Sequence, residues 1–424
     1  MTINHKTNEM LRAMRTLSVV ATVCAMSGVQ AQTSAQIPIR QLGRVVSSDS
    51  TILRGIASVR QLPNGGVIVN DATKRQLVLF DSSLSKHSVI ADTSTNSPNS
   101  YGLRSSMGGL VPYVADSSVF VDGESGAFLV IDPQGRFTRV MAPTRASDLF
   151  YVSSGMFGLA TFDPKGRMVY RTQRRPANQD YFSTRDATGR PRVILMPDSA
   201  PILRMDFDKR TVDTIALIKS PVEKMVIVSS QNSMMSYNAL NPLPVSDEWA
   251  LLPDGTIAIV RSQDYHMDWL SPDGKLTSSP KMPFDWRRLT VEDKQAMIDS
   301  LKKENAEREA KLPPPPPTPP GMPSMPRRQF MTVEPNELPD YYPAVRQGQV
   351  RADPEGFVWI LPATSAGAKE GLLYDVVGRS GEIVERVQLP KGRTLVGFGP
   401  RRTIYMHHVR SPTSSAIERA EVVR

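Results

Sequence analysis

Residues 352–361 read ADPEGFVWIL, and the phrase recurs along the chain. Residues 252–260 read LPDGTIAIV, residues 162–170 FDPKGRMVY and residues 61–71 QLPNGGVIVND. Residues 116–122 (DSSVFVD) and 399–407 (GPRRTIYMH) follow the pattern more loosely, which brings the copies to six. The unit is a turn followed by a strand. Proline presets φ, glycine accepts positive φ, and the Val/Ile run after them is apolar on both faces, as a strand packed on two sides requires.

A second hairpin follows in most copies. Residues 76–81 (QLVLFD), 127–135 (AFLVIDPQG), 202–208 (ILRMDFD), 265–274 (YHMDWLSPDG) and 372–381 (LLYDVVGRSG) read as third strands entering a turn. Four antiparallel strands in a unit of about 45 residues is the period of a propeller blade. The expected fold is therefore an all-β, six-bladed β-propeller over residues 38–424. The last copy is short of a strand, which residues 39–46 (IRQLGRVV) are expected to supply, closing the ring and hiding its edges.

Two units carry insertions, at residues 172–201 and 281–344. Within the second, residues 287–311 lose the strand pattern. Thr290 with Asp293 reads as a helix start, Met297, Ile298 and Leu301 make a narrow apolar stripe, and Pro313 ends the helix. The prolines at 313–317, 319 and 320 predict a polyproline segment, so residues 287–328 form a helix plus Pro-rich insertion.

The first residues read differently. Lys6, Arg12 and Arg15 precede an apolar run from Leu17 to Val29, and Val29-Gln30-Ala31 resembles a cleavage site. Residues 1–31 are expected to be a signal peptide, with export to the periplasm or beyond the cell. Cys24, the single cysteine, would leave with it, so no disulfide or thiolate chemistry is expected. No later run is long enough to span a membrane.

The phrases QVRADPEGFVWIL and VVGRSGEIVERVQLP resemble the NHL-type six-bladed propellers of exported bacterial proteins. The resemblance covers most of residues 40–424 and rests on structural turns. It implies a fold and carries no catalytic residue to a position of this chain.

Functional chemistry is sparse at this level. There is no GxSxG elbow, HExxH or EF-hand loop. Arg54, Arg104, Arg346 and Arg351 lie at or near the starts of predicted inner strands, where they would surround an axial channel and take an anionic ligand. The arginines between Arg171 and Arg192 compose a second basic patch, for which no specific nucleic acid is expected. The leading expectation is a non-enzymatic, monomeric exported propeller that binds a ligand or protein partner and needs no cofactor. The alternative is a calcium-dependent lactonase-like or other metal-assisted hydrolase working at the central mouth. In propellers of that kind oxygen ligands from several blades converge on the ion, and Asn70, Asp71, Asp247 and Glu248 are the candidates here.

Overall fold

The computed structural model describes residues 37–423 apart from 95–99, 102–108, 154, 156, 175–191, 230–233, 312–329 and 368–369. Residues 38–424 make one compact unit. Two short strands, β1 (Ile39–Arg40) and β2 (Val46–Ser47), precede the repeats.

Sheet I holds β3 (Ile56–Gln61), β4 (Val67–Asp71), β5 (Gln76–Phe80) and β6 (His87–Ala91) in chain order. Sheet II holds β7 (Leu110–Pro112), β8 (Ser118–Asp122), β9 (Ala127–Ile131) and β10 (Phe137–Met141). A short helix, α1 (Leu149–Ser153), leads to β11 (Thr161–Phe162) and β12 (Met168–Arg171) of sheet III. That sheet is interrupted by β13 (Arg192–Leu195) before it resumes with β14 (Ser199–Asp206) and β15 (Thr211–Lys219). β13 instead joins β16 (Lys224–Ser229) and β17 (Met234–Asn238) in a three-stranded side sheet.

Sheet IV holds β18 (Glu248–Leu251), β19 (Ile257–Arg261), β20 (His266–Leu270) and β21 (Leu276–Ser278). Helix α2 (Val291–Ala310) follows. Sheet V holds β22 (Val350–Ala352), β23 (Val358–Ile360), β24 (Leu373–Val377) and β25 (Ile383–Gln388), with β1 parallel to β25 at its edge. Sheet VI holds β26 (Arg393–Gly399), β27 (Thr403–Ser411) and β28 (Ser414–Glu421), completed by β2 antiparallel to β28. The protein is a β-propeller. The missing strand of the last sheet comes from Val46–Ser47, while Ile39–Arg40 edges its neighbour.

The turns explain why four repeats read clearly and two loosely. Leu62, Asp163, Leu252 and Asp353 each donate their N–H four residues ahead and accept from a glycine three residues ahead. Those glycines, Gly65, Gly166, Gly255 and Gly356, all have φ between 75° and 86°. This is a type I turn closed by a left-handed residue, and glycine occupies that position without steric cost. Sheets II and VI turn more tightly. Ala115 and Asp116 (φ 53° and 57°), and Arg401 and Arg402 (φ 58° and 59°), form two-residue turns with both central residues left-handed. That geometry belongs to the type I′ hairpin, which needs no P-x-G signature.

Second strands carry the core: every residue of β4 and β8, and of β19 up to Val260, is buried, so both faces are covered. Apolar clusters fill the seams. One joins Val121 and Phe128 of sheet II to Met168, Tyr170 and Met205 of sheet III. Another joins Trp359 and Tyr374 of sheet V to Ile404 and Met406 of sheet VI. Trp249, Trp269 and Trp359 are buried as seam residues, whereas Trp286 is partly exposed.

Helix α2 starts where the sequence indicates. Thr290 accepts from the Asp293 N–H at 3.1 Å, and the Asp293 carboxylate accepts from the Thr290 N–H at 3.0 Å. Ile298 packs on Val333 and Leu338, and Lys294 Nζ ion-pairs with Asp340 at 2.8 Å. The polyproline segment lies outside the described residues, as do residues 1–36. Among the described residues no helix is long and apolar enough to cross a membrane.

Candidate functional site

One cavity of 540 Å³ is lined by the first strand of each of sheets I to VI: β3, β7, β11, β18, β22 and β26. It lies on the axis where those strands end, and its wall continues into their hairpin turns at Tyr113–Asp116, Asp163–Pro164, Leu252–Pro253 and Asp353–Pro354. Most of the wall is apolar, with Val59, Leu110, Phe162, Trp249, Leu251, Val350 and Val396 prominent. Tyr113 and Phe162 meet edge to face at 4.6 Å, and Trp249 is fixed by an indole hydrogen bond to the Phe157 carbonyl at 3.0 Å.

Two arginines stand in this wall. Arg60 of β3 is part-buried, and its Nε is buried with no hydrogen-bond partner. Burial pushes its guanidinium pKa down, and the attraction of Asp116 opposes that only in part. Arg351 of β22 stands in the same wall. It has no hydrogen bond or ion pair among the described residues, and burial lowers its pKa against the weak pull of the Tyr374 oxygen. Aligning the repeats on their turns puts Arg60, Thr161, Ala250 and Arg351 in one column, two positions before the first turn residue, and all four line the cavity. Side chains two apart in a strand share a face, so the column follows from the register.

The carboxylates of the wall divide into two kinds. Asp163 is tied into its turn by Arg167, with Nη2 to Oδ2 at 2.6 Å. Asp353 accepts from the Trp359 indole and from the Phe357 N–H, both at 2.9 Å, and burial raises its pKa. Asp116 has no such tie. It sits exposed on the left-handed turn of sheet II, facing Arg60, and its carboxylate accepts no hydrogen bond among the described residues.

Of the four arginines expected to surround the channel, the three that are described are not brought together. Arg351 lines the cavity. Arg54 and Arg346 are exposed, at the opposite ends of their strands from the hairpin turns, and Arg104 lies outside the described residues. Arg60 and the acid that faces it, Asp116, were missed in the sequence, although the turn-aligned column would have exposed Arg60.

The proposed calcium ligands do not converge either. Asp71 accepts from the N–H groups of Arg54, Gly55, Thr73 and Lys74 at 2.8 to 3.1 Å, and Asn70 lies beside it on β4. Asp247 pairs with Arg261 at 2.7 Å. Glu248 takes Ser246 Oγ at 2.8 Å, the Gly348 N–H at 2.9 Å and Arg171 Nη1 at 3.4 Å. Burial raises the Glu248 pKa, with Arg171 the main opposing influence. Among the described residues no group of three or more His, Cys, Asp or Glu side chains is placed to hold a metal ion. A donor set already saturated by N–H groups and guanidinium does not fit a hard divalent cation.

Arg171 also corrects the basic-patch reading. It is 2% exposed, lies over the Phe157 ring at 5.9 Å and serves as counterion to Glu248. Residues 175–191 of that patch lie outside the described residues. His407 and His408 are separated as the strand register demands, bonding Ser415 and Glu418 respectively.

No protein-family model matches the chain, and no curated protein matches it. Solved structures do resemble it in fold. A member of the DUF4221 family from Bacteroides vulgatus aligns over 90% of this chain and 98% of its own, at 11% identity and TM-score 0.46. A gluconolactonase from Xanthomonas campestris aligns over 90% and 98%, at 9% identity and TM-score 0.40. Virginiamycin B lyase from Staphylococcus aureus aligns over 90% and 99%, at 9% identity and TM-score 0.38. At such identities the likeness concerns the fold and assigns no role to any residue. Two of these neighbours bear enzyme names, and on that finding the expectation of a non-enzymatic binding propeller is set aside. Its physical weakness is plain from the cavity itself. A site assembled from single residues of several sheets leaves no contiguous motif, so the absence of motifs argued nothing.

Proposed function

We propose that the chain is an exported, six-bladed, NHL-like propeller that hydrolyses a small anionic lactone or ester in its axial cavity. The observation that carries the reading is the pair Arg60 and Arg351, which stand in one largely apolar cavity with no side-chain hydrogen bond or ion pair among the described residues. A desolvated cation without a counterion is unfavourable, and an arriving carboxylate removes that cost. Guanidinium also offers paired N–H donors to a carboxylate or to a developing oxyanion.

In this reading Asp116 takes a proton from water as the water oxygen bonds to the ester carbonyl carbon. The carbonyl electrons move onto oxygen, against the arginines. They then return, the C–O bond to the ring or alkoxy oxygen breaks, and that oxygen receives the proton from Asp116. The products are one acid and one hydroxyl. Six sheets around one cavity support the blade number, and the basic, apolar, then small-residue order of residues 6–31 supports export.

The test is hydrolysis of a panel of lactones and carboxylate-bearing esters by residues 32–424. Arg60→Met and Arg351→Met should each lower kcat/KM by roughly 10²–10³-fold, and Asp116→Asn should lower kcat by roughly 10²–10⁴-fold. The assay is repeated with calcium and with chelator. Turnover of none of the panel, or turnover that needs calcium and ignores both arginines, would sink the reading.

A further inference from the structure

The axial cavity does not end at its own wall. Tyr113 and Val114 belong both to it and to a second space of 590 Å³, between sheets II and III on the same face. That groove is lined by five cations, Arg139, Lys165, Arg167, Lys209 and Arg210, against two carboxylates, Asp206 and Asp208. Some of the five are used by the fold. Arg167 pairs with Asp163, and Arg210 donates to the carbonyls of Ala142 and Pro143 at 3.1 and 3.2 Å. The ammonium groups of Lys165 and Lys209 make no hydrogen bond or ion pair among the described residues and are exposed in the groove.

Aromatic rings run between the two charged regions. Tyr113 touches Phe162 at 4.6 Å, Phe162 lies 5.9 Å from Phe207, and Arg139 stacks over Tyr113 at 5.7 Å. Phe162 lines the cavity and Phe207 lines the groove. Cations at both ends with aromatic faces between suit a chain of rings that carry acids, because sugar faces pack on aromatic rings while their carboxylates pair with Lys and Arg.

We infer that the substrate is an acidic oligosaccharide that occupies the axial cavity with its reacting unit and lays its next anionic units along the groove between sheets II and III. The inference rests on the cavity reading above and names its substrate class. A field of one sign in a cleft also concentrates such a chain before it docks.

The probes are galacturonate, its dimer and its hexamer, bound to full mature protein and followed by calorimetry at two salt concentrations. Affinity should rise with length, most at low salt. Lys165→Glu with Lys209→Glu should weaken the hexamer by about tenfold, leave the monomer unchanged, and leave small-lactone turnover unchanged. Equal affinity for monomer and hexamer, or a hexamer indifferent to the double reversal, would overturn the inference. So would a neutral hexasaccharide binding as tightly, or a polyphosphate of equal charge binding more tightly. Length-dependent binding without any lactone turnover would instead break the hydrolase reading and leave this groove standing.

Discussion

Two arginines on strands of the same ring meet opposite fates. Arg171 ends β12 at the end of the ring away from the hairpin turns, buried beside Glu248 and stacked on Phe157. Arg60 lies toward the end of β3 at the other end of the ring. The Nε of each arginine is buried without a hydrogen bond, but Arg60, unlike Arg171, makes no hydrogen bond or ion pair through the rest of its guanidinium among the described residues. A guanidinium that the fold itself neutralises is structural. One that the fold leaves partly desolvated and unneutralised waits for something outside the chain.

The largest test of that contrast is at the paired end. Arg171→Met leaves Glu248 buried without its counterion and should cost about 3–5 kcal/mol of stability, read by urea unfolding. Arg171→Met with Glu248→Met should recover most of that loss. A single variant as stable as the parent would break the comparison.

Acid sharpens it. Glu418 is buried and ion-paired with Arg393, His408 and Arg410, and against that burial the hydrogen bonds and charges of Arg393 and His408 hold its pKa below the ordinary glutamate value. A depressed carboxyl contributes stability above its unfolded-state pKa and loses that contribution as pH falls through the folded one. Glu418→Gln should therefore be less stable than the parent at neutral pH, with the two converging as pH falls below the usual glutamate range. Thermal melts across that range supply the check. Glu248, whose pKa is raised, has the opposite sign and cannot produce this acid limb.

At the unpaired end the expected effect on stability is small. Arg60→Met should change unfolding free energy by less than about 1 kcal/mol, because no native pair is lost and a desolvated charge is removed. A loss comparable to that of Arg171→Met would mean that Arg60 is structural. The smallest effect belongs to the turn that carries Asp116. Ala115 sits at φ 53°, and Ala115→Gly should stabilise the protein by about 0.5–1 kcal/mol, visible as a slightly raised Tm.

Several features of the molecule were legible in its residues for stated reasons. The P-x-G phrases mark hairpins because proline and glycine impose backbone geometry locally. The loose copies at 116–122 and 399–407 were harder, since Ala115, Asp116, Arg401 and Arg402 adopt left-handed φ without a glycine to announce it. The side sheet of β13, β16 and β17 was missed because β13 leaves sheet III within an insertion, a long-range pairing that no local pattern records. Of the expected ligand arginines that lie among the described residues, Arg351 lines the cavity and Arg54 and Arg346 do not.

By itself, then, the chain's sequence determined the repeating turn–strand unit, the all-β class and the capped helix after sheet IV, because each depends on steric and hydrogen-bonding preferences within a few residues. Only the tertiary structure decided which charges are neutralised. Arg171 and Glu248 are 77 residues apart, and Arg60 and Asp116 lie on different sheets, so pairing or its absence depends on how the sheets pack around the axis. Electrostatic energy depends on distance and burial in space, and neither is a property of chain position.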